Sequence, residues 1–368
     1  MLNMTLIEKV ASQIRADGVS AIMVAPGSDM VFLLGKKPIL CERYQALYIT
    51  DEAKVFYVCN DLYRDEMSDI LGEGVPIYHW SDSTGFKALC KEVFDKYSLT
   101  GKKVAVNGNV RAFNLVQILE NTDFTPVNGK DYIEKTRIIK TPEELENLRK
   151  SSLIADKAFE EIKKFIKPGV TEKQIAAELK RLCIENGAES CWEGIVAVNE
   201  HAALPHYFGN SGVVTEKCIV LMDFGCIYKG MYSDTTRTIF VGKATERERE
   251  IYNLVLKANL AGEAAAKTGA WIPDVDGRAR KVIEDAGYGV YFNHRLGHGI
   301  GYDEHEAPYI RGDYEMHLEP GMAFSCEPGI YIKDDIGIRI EDVVIINEKG
   351  ETEILNHTSK ELTEICCD

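Results

Sequence analysis

Two pairs of acidic residues, each set around a strand-turn-strand pattern, constrain this chain more than any other feature. Asp223 follows an apolar run, Cys218-Ile219-Val220-Leu221-Met222, and Asp234 lies beyond Tyr228-Lys229-Gly230. Lys229-Gly230 is a turn signal between strand-like runs, so the stretch reads as a β-hairpin. With a two-residue loop, residues on one face have position numbers of odd sum. Positions 223 and 234 meet that condition, which makes the two carboxylates a direct or diagonal cross-strand pair. Glu327 and Glu341 repeat the device 14 positions apart. An even separation needs an odd-numbered loop for direct opposition, and Lys333-Asp334-Asp335 can supply it.

Four carboxylates gathered in apolar surroundings repel one another, and buried anions persist only when paired or coordinated. His298, in Gly297-His298-Gly299-Ile300-Gly301, adds one nitrogen on a strand-like segment whose glycines admit close approach of backbone or ligand. Any one of these residues alone reads as a salt-bridge or cap residue. Together, Asp223, Asp234, His298, Glu327 and Glu341 suit two divalent cations. Oxygen ligands fit manganese or magnesium, and a single imidazole admits cobalt, zinc or iron. A two-metal hydrolase is the expectation.

At 368 residues the chain exceeds one ordinary core and suggests two domains. Its 45% hydrophobic and 27% charged residues describe a soluble globular protein, and no apolar run reaches membrane-spanning length. Residues 1–18 carry Glu8, Lys9, Arg15 and Asp17 in an amphipathic pattern, which reads as a helix and not an export signal. A net charge of −15 disfavours polyanionic partners, so neither nucleic acid nor a membrane is expected as a ligand. Cys41, Cys59, Cys90, Cys183, Cys191, Cys218, Cys226, Cys326, Cys366 and Cys367 are scattered with no C-x-x-C spacing. They read as reduced thiols in a cytoplasmic protein, several acting as small hydrophobes, Cys326 among them.

From about residue 5 to 124 short strands at 20–24, 46–49, 55–58 and 104–106 alternate with helices near 5–16, 86–97 and 112–120, the pattern of an α/β domain on a mixed sheet. No glycine-rich phosphate loop follows any of these strands. A boundary falls within 127–140, giving domains 1–130 and 131–368. Thr141-Pro142-Glu143-Glu144 then starts a helix that can run to about residue 166 before Pro168-Gly169 stops it. Thr171 with Gln174 opens the next, ending at Gly187, and Thr245 with Glu248 opens a third. Strands and capped helices interleave from there, the signature of an α+β domain with an antiparallel sheet.

The strings DFG, SDTTRT, GHGIGYDEHEAP, EPGIY and RIED, in that order between about residues 197 and 344, resemble the pita-bread metallopeptidases. That group includes prolidase, aminopeptidase P and methionine aminopeptidase. The resemblance implies an α/β N-terminal (creatinase-like) domain and an α+β pita-bread (creatinase/aminopeptidase-like) catalytic domain. It makes Asp223, Asp234, His298, Glu327 and Glu341 the metal ligands, with Asp234 and Glu341 bridging. It implies a water or hydroxide that attacks the scissile carbonyl, while Glu327 moves protons. His305 and His206 resemble histidines that contact substrate and stabilise the tetrahedral intermediate, and His294 resembles one typical of the Xaa-Pro-cleaving branch. Two divalent metal ions are implied, manganese first, with cobalt or zinc as alternatives.

Small proline-containing peptides are the implied substrates. Xaa-Pro dipeptides would be cleaved by a prolidase; the N-terminus of longer peptides would be the target of an aminopeptidase P. The N-terminal domain argues against methionine aminopeptidase. The resemblance implies a homodimer in which that domain can close the active site; residues 35–43 offer a loop for that task and have an equal claim to be a solvated connector. A bond to proline is a tertiary amide whose leaving nitrogen must be protonated as it departs.

Beside the resemblance, Arg295 can clamp a substrate carboxylate and has an equal claim to be a structural ion-pair partner. Arg339 shares a strand face with Glu341; it is expected to orient ligands and is a candidate substrate contact. His79, His201, His317 and His357 match nothing and read as structural or solvated. A non-catalytic peptide-binding relative, or a metal-free hydrolase such as creatinase, is disfavoured because all five ligands are present.

Overall fold

The computed structural model describes residues 2–36, 38–209 and 211–366. Lys37 of the 35–43 loop and Cys367 among the expected thiols lie outside them. Backbone contacts divide the chain into two units, Met1–Arg137 and Ile138–Asp368.

In the first unit, strands β1 (Ala21–Val24), β2 (Ala46–Thr50), β3 (Val55–Asn60), β4 (Ile77–Trp80), β5 (Lys103–Val106) and β6 (Thr125–Asn128) form a mixed sheet of order β4-β3-β2-β1-β5-β6. The alternation of side chains along a strand decides which helices cover which face. Ile22, Val24, Leu47 and Ile49 pack with α1 (Met4–Ala16), α2 (Ser28–Leu34), α3 (Arg64–Leu71) and α6 (Lys130–Arg137). Met23, Tyr48, Phe56 and Val104 pack on the other face with α4 (Lys87–Lys96) and α5 (Ala112–Leu119). Helices α2, α3 and α6 escape sequence detection because two turns give little periodicity; they are held by the buried Met30, Met67 and Ile133.

The second unit repeats one plan twice: a pair of helices, then an acid-bearing ribbon. The helices α7 (Pro142–Ile162), α8 (Glu172–Glu185) and α9 (Glu246–Ala265) start at Thr141, Thr171 and Thr245. All three starts carry the reciprocal capping box that the sequence predicts. Helix α7 ends four residues before the expected stop, because 163–166 tighten into a turn that buries Ile166.

Strands β7 (Ser190–Cys191) and β8 (Ile195–Val198) lead to the first ribbon: β9 (Cys218–Phe224), β10 (Cys226–Tyr228), β11 (Met231–Tyr232) and β12 (Thr235–Val241). Lys229 and Gly230 turn it with φ of 47° and 79°, the double positive φ of the tight hairpin loop. Asp223 pairs with Thr236. Asp234 therefore sits diagonally from Asp223 on the same face, at the break between β11 and β12.

After α10 (Ile272–Asp285), β13 (Gly297–Gly299) and β14 (Glu306–Ile310) flank the second ribbon: β15 (Ala323–Cys326), β16 (Gly329–Ile332), β17 (Ile336–Arg339) and β18 (Asp342–Ile346). Gly329 pairs with Arg339 and Cys326 with Asp342, a register that sets Glu327 directly opposite Glu341 across the three-residue loop 333–335. Strands β19 (Thr352–Ile354) and β20 (Thr363–Ile365) complete the sheets. No disulfide links any of the nine described cysteines.

Candidate active site

A bridge between Thr236 and Glu341 joins the two ribbons, through a hydrogen bond from the Glu341 N–H to the Thr236 carbonyl at 3.1 Å. Asp223 faces Thr236 and Glu327 faces Glu341, so this one contact gathers all four acids. The remaining element is β13, whose Gly297 and Gly299 lie so close to Ser325 and Ala307 that a Cβ would fall 1.8 and 2.2 Å from those carbonyl oxygens. The glycines flanking His298 thus serve the close approach of backbone, and His298 is carried in between the ribbons.

Ligand atoms of Asp223, Asp234 and Glu341 lie within 4.8 Å of one another, as do those of His298, Glu327 and Glu341, and of Asp234, His298 and His305. His298 donates its Nδ1–H to the Gly299 carbonyl at 3.1 Å. That tautomer aims the Nε2 lone pair at Glu327 Oε1 (3.2 Å) and Asp234 Oδ2 (3.6 Å), acceptor against acceptor. Asp223 Oδ1, Asp234 Oδ1 and Glu341 Oε1 are buried without a hydrogen-bond partner among the described residues. Buried polar atoms are normally satisfied, so three orphaned oxygens around one imidazole lone pair fit a pair of divalent cations held by these residues.

Electrostatics follow from the crowding. Burial, then the neighbouring acids, hold the Asp234 and Glu341 carboxyls well above the usual carboxylate range. Burial also pushes Glu327 upward, but the adjacent His298, then His294 and Arg339, outweigh it and hold Glu327 low. Glu327 is thereby driven apart in acidity from Asp234 and Glu341 at the same centre. Burial and then Asp223 raise Glu304 to about 7.

Supporting contacts fix the orientation of the acids. Thr236 Oγ1–H donates to Glu341 Oε2 at 2.6 Å, and Ser325 Oγ–H to Glu327 Oε1 at 3.1 Å. Arg339 is buried and binds Asp223 Oδ2, Thr236 Oγ1 (2.9 Å) and the Tyr331 hydroxyl (3.0 Å), while its guanidinium still lines the cavity. Behind Glu341, Arg237 donates to the Glu341 carbonyl at 2.6 Å and pairs with Asp342 at 2.7 Å, and Lys360 joins Asp342 to Glu263.

The cluster opens into a cavity of about 950 Å3, large for a small-peptide site. His206, His294, Arg295 and His305 are in its wall, with Trp192, Ile195, Phe208 and Phe292 supplying apolar surface. The His305 ring centroid is 3.8 Å from that of His298. Desolvation by the cavity wall, then His298 and Arg295, lower its imidazole to about 3, so it is neutral at physiological pH. His294 Nδ1–H donates to the Arg295 carbonyl at 2.7 Å, which leaves Nε2 to accept from the Tyr331 hydroxyl at 3.1 Å, and burial lowers the imidazole's pKa. Arg295 lies 4.9 Å over the Tyr309 ring. Of the histidines expected to be structural, His201 binds Glu172, His317 packs on Trp271 and His79 pairs with Asp61.

Sequence reasoning passed over Tyr331, Thr236, Ser325 and Glu304, although each lies within a quoted motif or two residues from a ligand. Asp276 and Arg280 on α10 were also passed over. They pair with each other and bind Leu296 N–H and the carbonyls of Phe292 and His294, holding the segment that leads into β13. No local signal announces a role of that kind.

Fold and site together define a pita-bread protein with a candidate dinuclear metal centre. Residues 146–348 match the model of metallopeptidase family M24, and the chain belongs to that family. It is 33% identical over 362 residues to an Xaa-Pro dipeptidase of Lactobacillus delbrueckii subsp. lactis, covering 97% of this chain and 98% of the relative. Among solved structures it is similar to a dipeptidase from Pyrococcus horikoshii, with a TM-score of 0.91 and 33% identity over 98% of this chain and 99% of that one. It is also similar to an X-Pro aminopeptidase from Thermotoga maritima, with a TM-score of 0.81 and 26% identity over 98% and 99%. No helix among the described residues is long and apolar enough to cross a membrane.

Proposed function

We propose that this peptidase hydrolyses the Xaa-Pro bond of dipeptides, in the manner its Lactobacillus relative is named for, in the second unit's cavity. The observation that carries the reading is the convergence of Asp223, Asp234, His298, Glu327 and Glu341 with three orphaned buried oxygens beside that cavity. Two divalent cations, manganese foremost and cobalt or zinc as alternatives, supply Lewis acidity at the scissile carbonyl and raise the acidity of nearby water. Everything else falls to the chain's own residues. Glu327, held ionised, accepts a proton from the attacking water and delivers it to the leaving proline nitrogen. Neutral His305 and exposed His206 donate hydrogen bonds to oxygen charge that develops on the substrate. His294, backed by Tyr331, lines the same wall, and Arg295 offers a guanidinium to the substrate carboxylate. Arg339 keeps Asp223 in place and shares the cavity wall.

Cleavage at the N-terminus of longer Xaa-Pro peptides is the second reading, favoured by the cavity's size and by the likeness to the Thermotoga aminopeptidase. The working form in this reading is a cytoplasmic homodimer of two-domain chains, with the N-terminal unit limiting peptide length. The test compares Gly-Pro with a proline-second tripeptide, using chelated protein and protein reloaded with manganese or cobalt. Release of proline from the dipeptide only after metal addition is expected. Preference for the tripeptide would select the aminopeptidase reading, and hydrolysis of neither would leave a peptide-binding protein.

A further inference from the structure

The chain between β8 and β9 carries Pro205, His206 and Phe208 to the cavity wall. His206 is exposed, so its position is set by the backbone that bears it. Both feet of this loop meet at one side chain, Glu172 in the first turn of α8, which is fully buried. Glu172 Oε1 accepts from the Val198 N–H at 2.8 Å and from His201 Nδ1 at 2.7 Å. Its Oε2 accepts from the Gly212 N–H at 2.7 Å and the Tyr207 hydroxyl at 3.2 Å.

Other contacts reinforce the same clamp. The His201 ring stacks on Tyr207 at 4.3 Å. The Glu172 N–H donates to the Gly212 carbonyl at 3.0 Å. A Cβ at Gly212 would fall 2.3 Å from Glu172 Oε1, so the carboxylate occupies the space any side chain there would need. On the side nearest the acids, the Pro205 carbonyl accepts from Arg339 Nη1 at 3.4 Å. The loop is thus held at its feet by Glu172 and near His206 by the arginine that also holds Asp223.

A carboxylate sunk in the interior with four donors converging on it from both ends of one loop is a built device, since burying an anion is costly without such partners. Ordinary core packing would need no charge there. We propose that Glu172 is a positioning residue for His206: its buried carboxylate ties Val198, His201, Tyr207 and Gly212 together and so sets where the imidazole stands relative to the candidate metal cluster. The proposal rests on the role given above to His206.

The test is a double-variant cycle with Glu172→Gln, His206→Ala and the pair, read as kcat/KM on an Xaa-Pro dipeptide by the metal-loaded protein, with metal content measured in parallel. The amide keeps the shape and one acceptor oxygen but turns an NH2 toward two of the four donors. Glu172→Gln is expected to lower kcat/KM about tenfold alone and by less than about twofold in the His206→Ala background, with metal content unchanged. An equal loss in both backgrounds, or no loss at all, would overturn the proposal, because a merely structural residue would act regardless of His206. Unchanged turnover in His206→Ala alone would instead remove the role of His206 and take this inference with it. Should Glu172→Gln fail to fold, Tyr207→Phe deletes one donor to the same carboxylate and carries the same test, with a smaller loss that must also vanish without His206.

Discussion

Removing metal should cost this protein stability in an amount set by its buried oxygens. Asp223 Oδ1, Asp234 Oδ1 and Glu341 Oε1 have no hydrogen-bond partner among the described residues, and an unsatisfied buried polar atom costs about 1–3 kcal/mol, so cations that coordinate all three relieve about 3–9 kcal/mol. A unit the size of Ile138–Asp368 gains about 2–4 °C in Tm per kcal/mol, which puts the smallest expected rise at about 6 °C. The assay is calorimetry of chelator-treated and manganese-reloaded protein at matched pH. The sign of the pH dependence follows from the acids. Asp234 and Glu341 have raised values in the metal-free cluster. The folded metal-free protein therefore keeps protons that the unfolded chain releases near pH 4, and its stability falls as pH rises above that point. Metal binding replaces those protons, so the gain in Tm should be larger at pH 7 than at pH 5. His298→Ala should shrink the gain. Equal Tm for chelated and reloaded protein at pH 7, or a gain that grows toward acid, would refute the reasoning.

Glu327→Gln should lower turnover by about 10²–10⁴-fold while metal content largely persists, since the proton carrier is lost and most ligands remain; unchanged turnover would remove Glu327 from that role. Arg295→Ala should raise KM for Xaa-Pro dipeptides roughly tenfold or more with a smaller effect on kcat, and an unaltered KM would assign the arginine to its contact with Tyr309 alone. Lys140 and Glu306 form a fully buried ion pair at 2.6 Å. Lys140→Met should therefore destabilise by about 3–5 kcal/mol in urea unfolding, with partial recovery on adding Glu306→Gln. A loss below about 1 kcal/mol would show that Glu306 finds another partner.

The amino-acid sequence by itself determined what is local here. Threonine caps set the starts of α7, α8 and α9, the Lys229-Gly230 turn put Asp223 and Asp234 on one face, and an odd-numbered loop set Glu327 against Glu341. Each depends only on neighbours a few positions away, through hydrogen bonds and the two-residue period of a strand, so each was legible in advance. Only the tertiary structure decided that the two ribbons meet at Thr236 and Glu341, that Arg339 reaches back to Asp223, and that Glu172 grips the loop of His206. Those contacts span 26 to 116 positions of chain, and the packing of separate elements around common cores fixes them; no periodicity or spacing in one sequence encodes which distant partners such packing brings together.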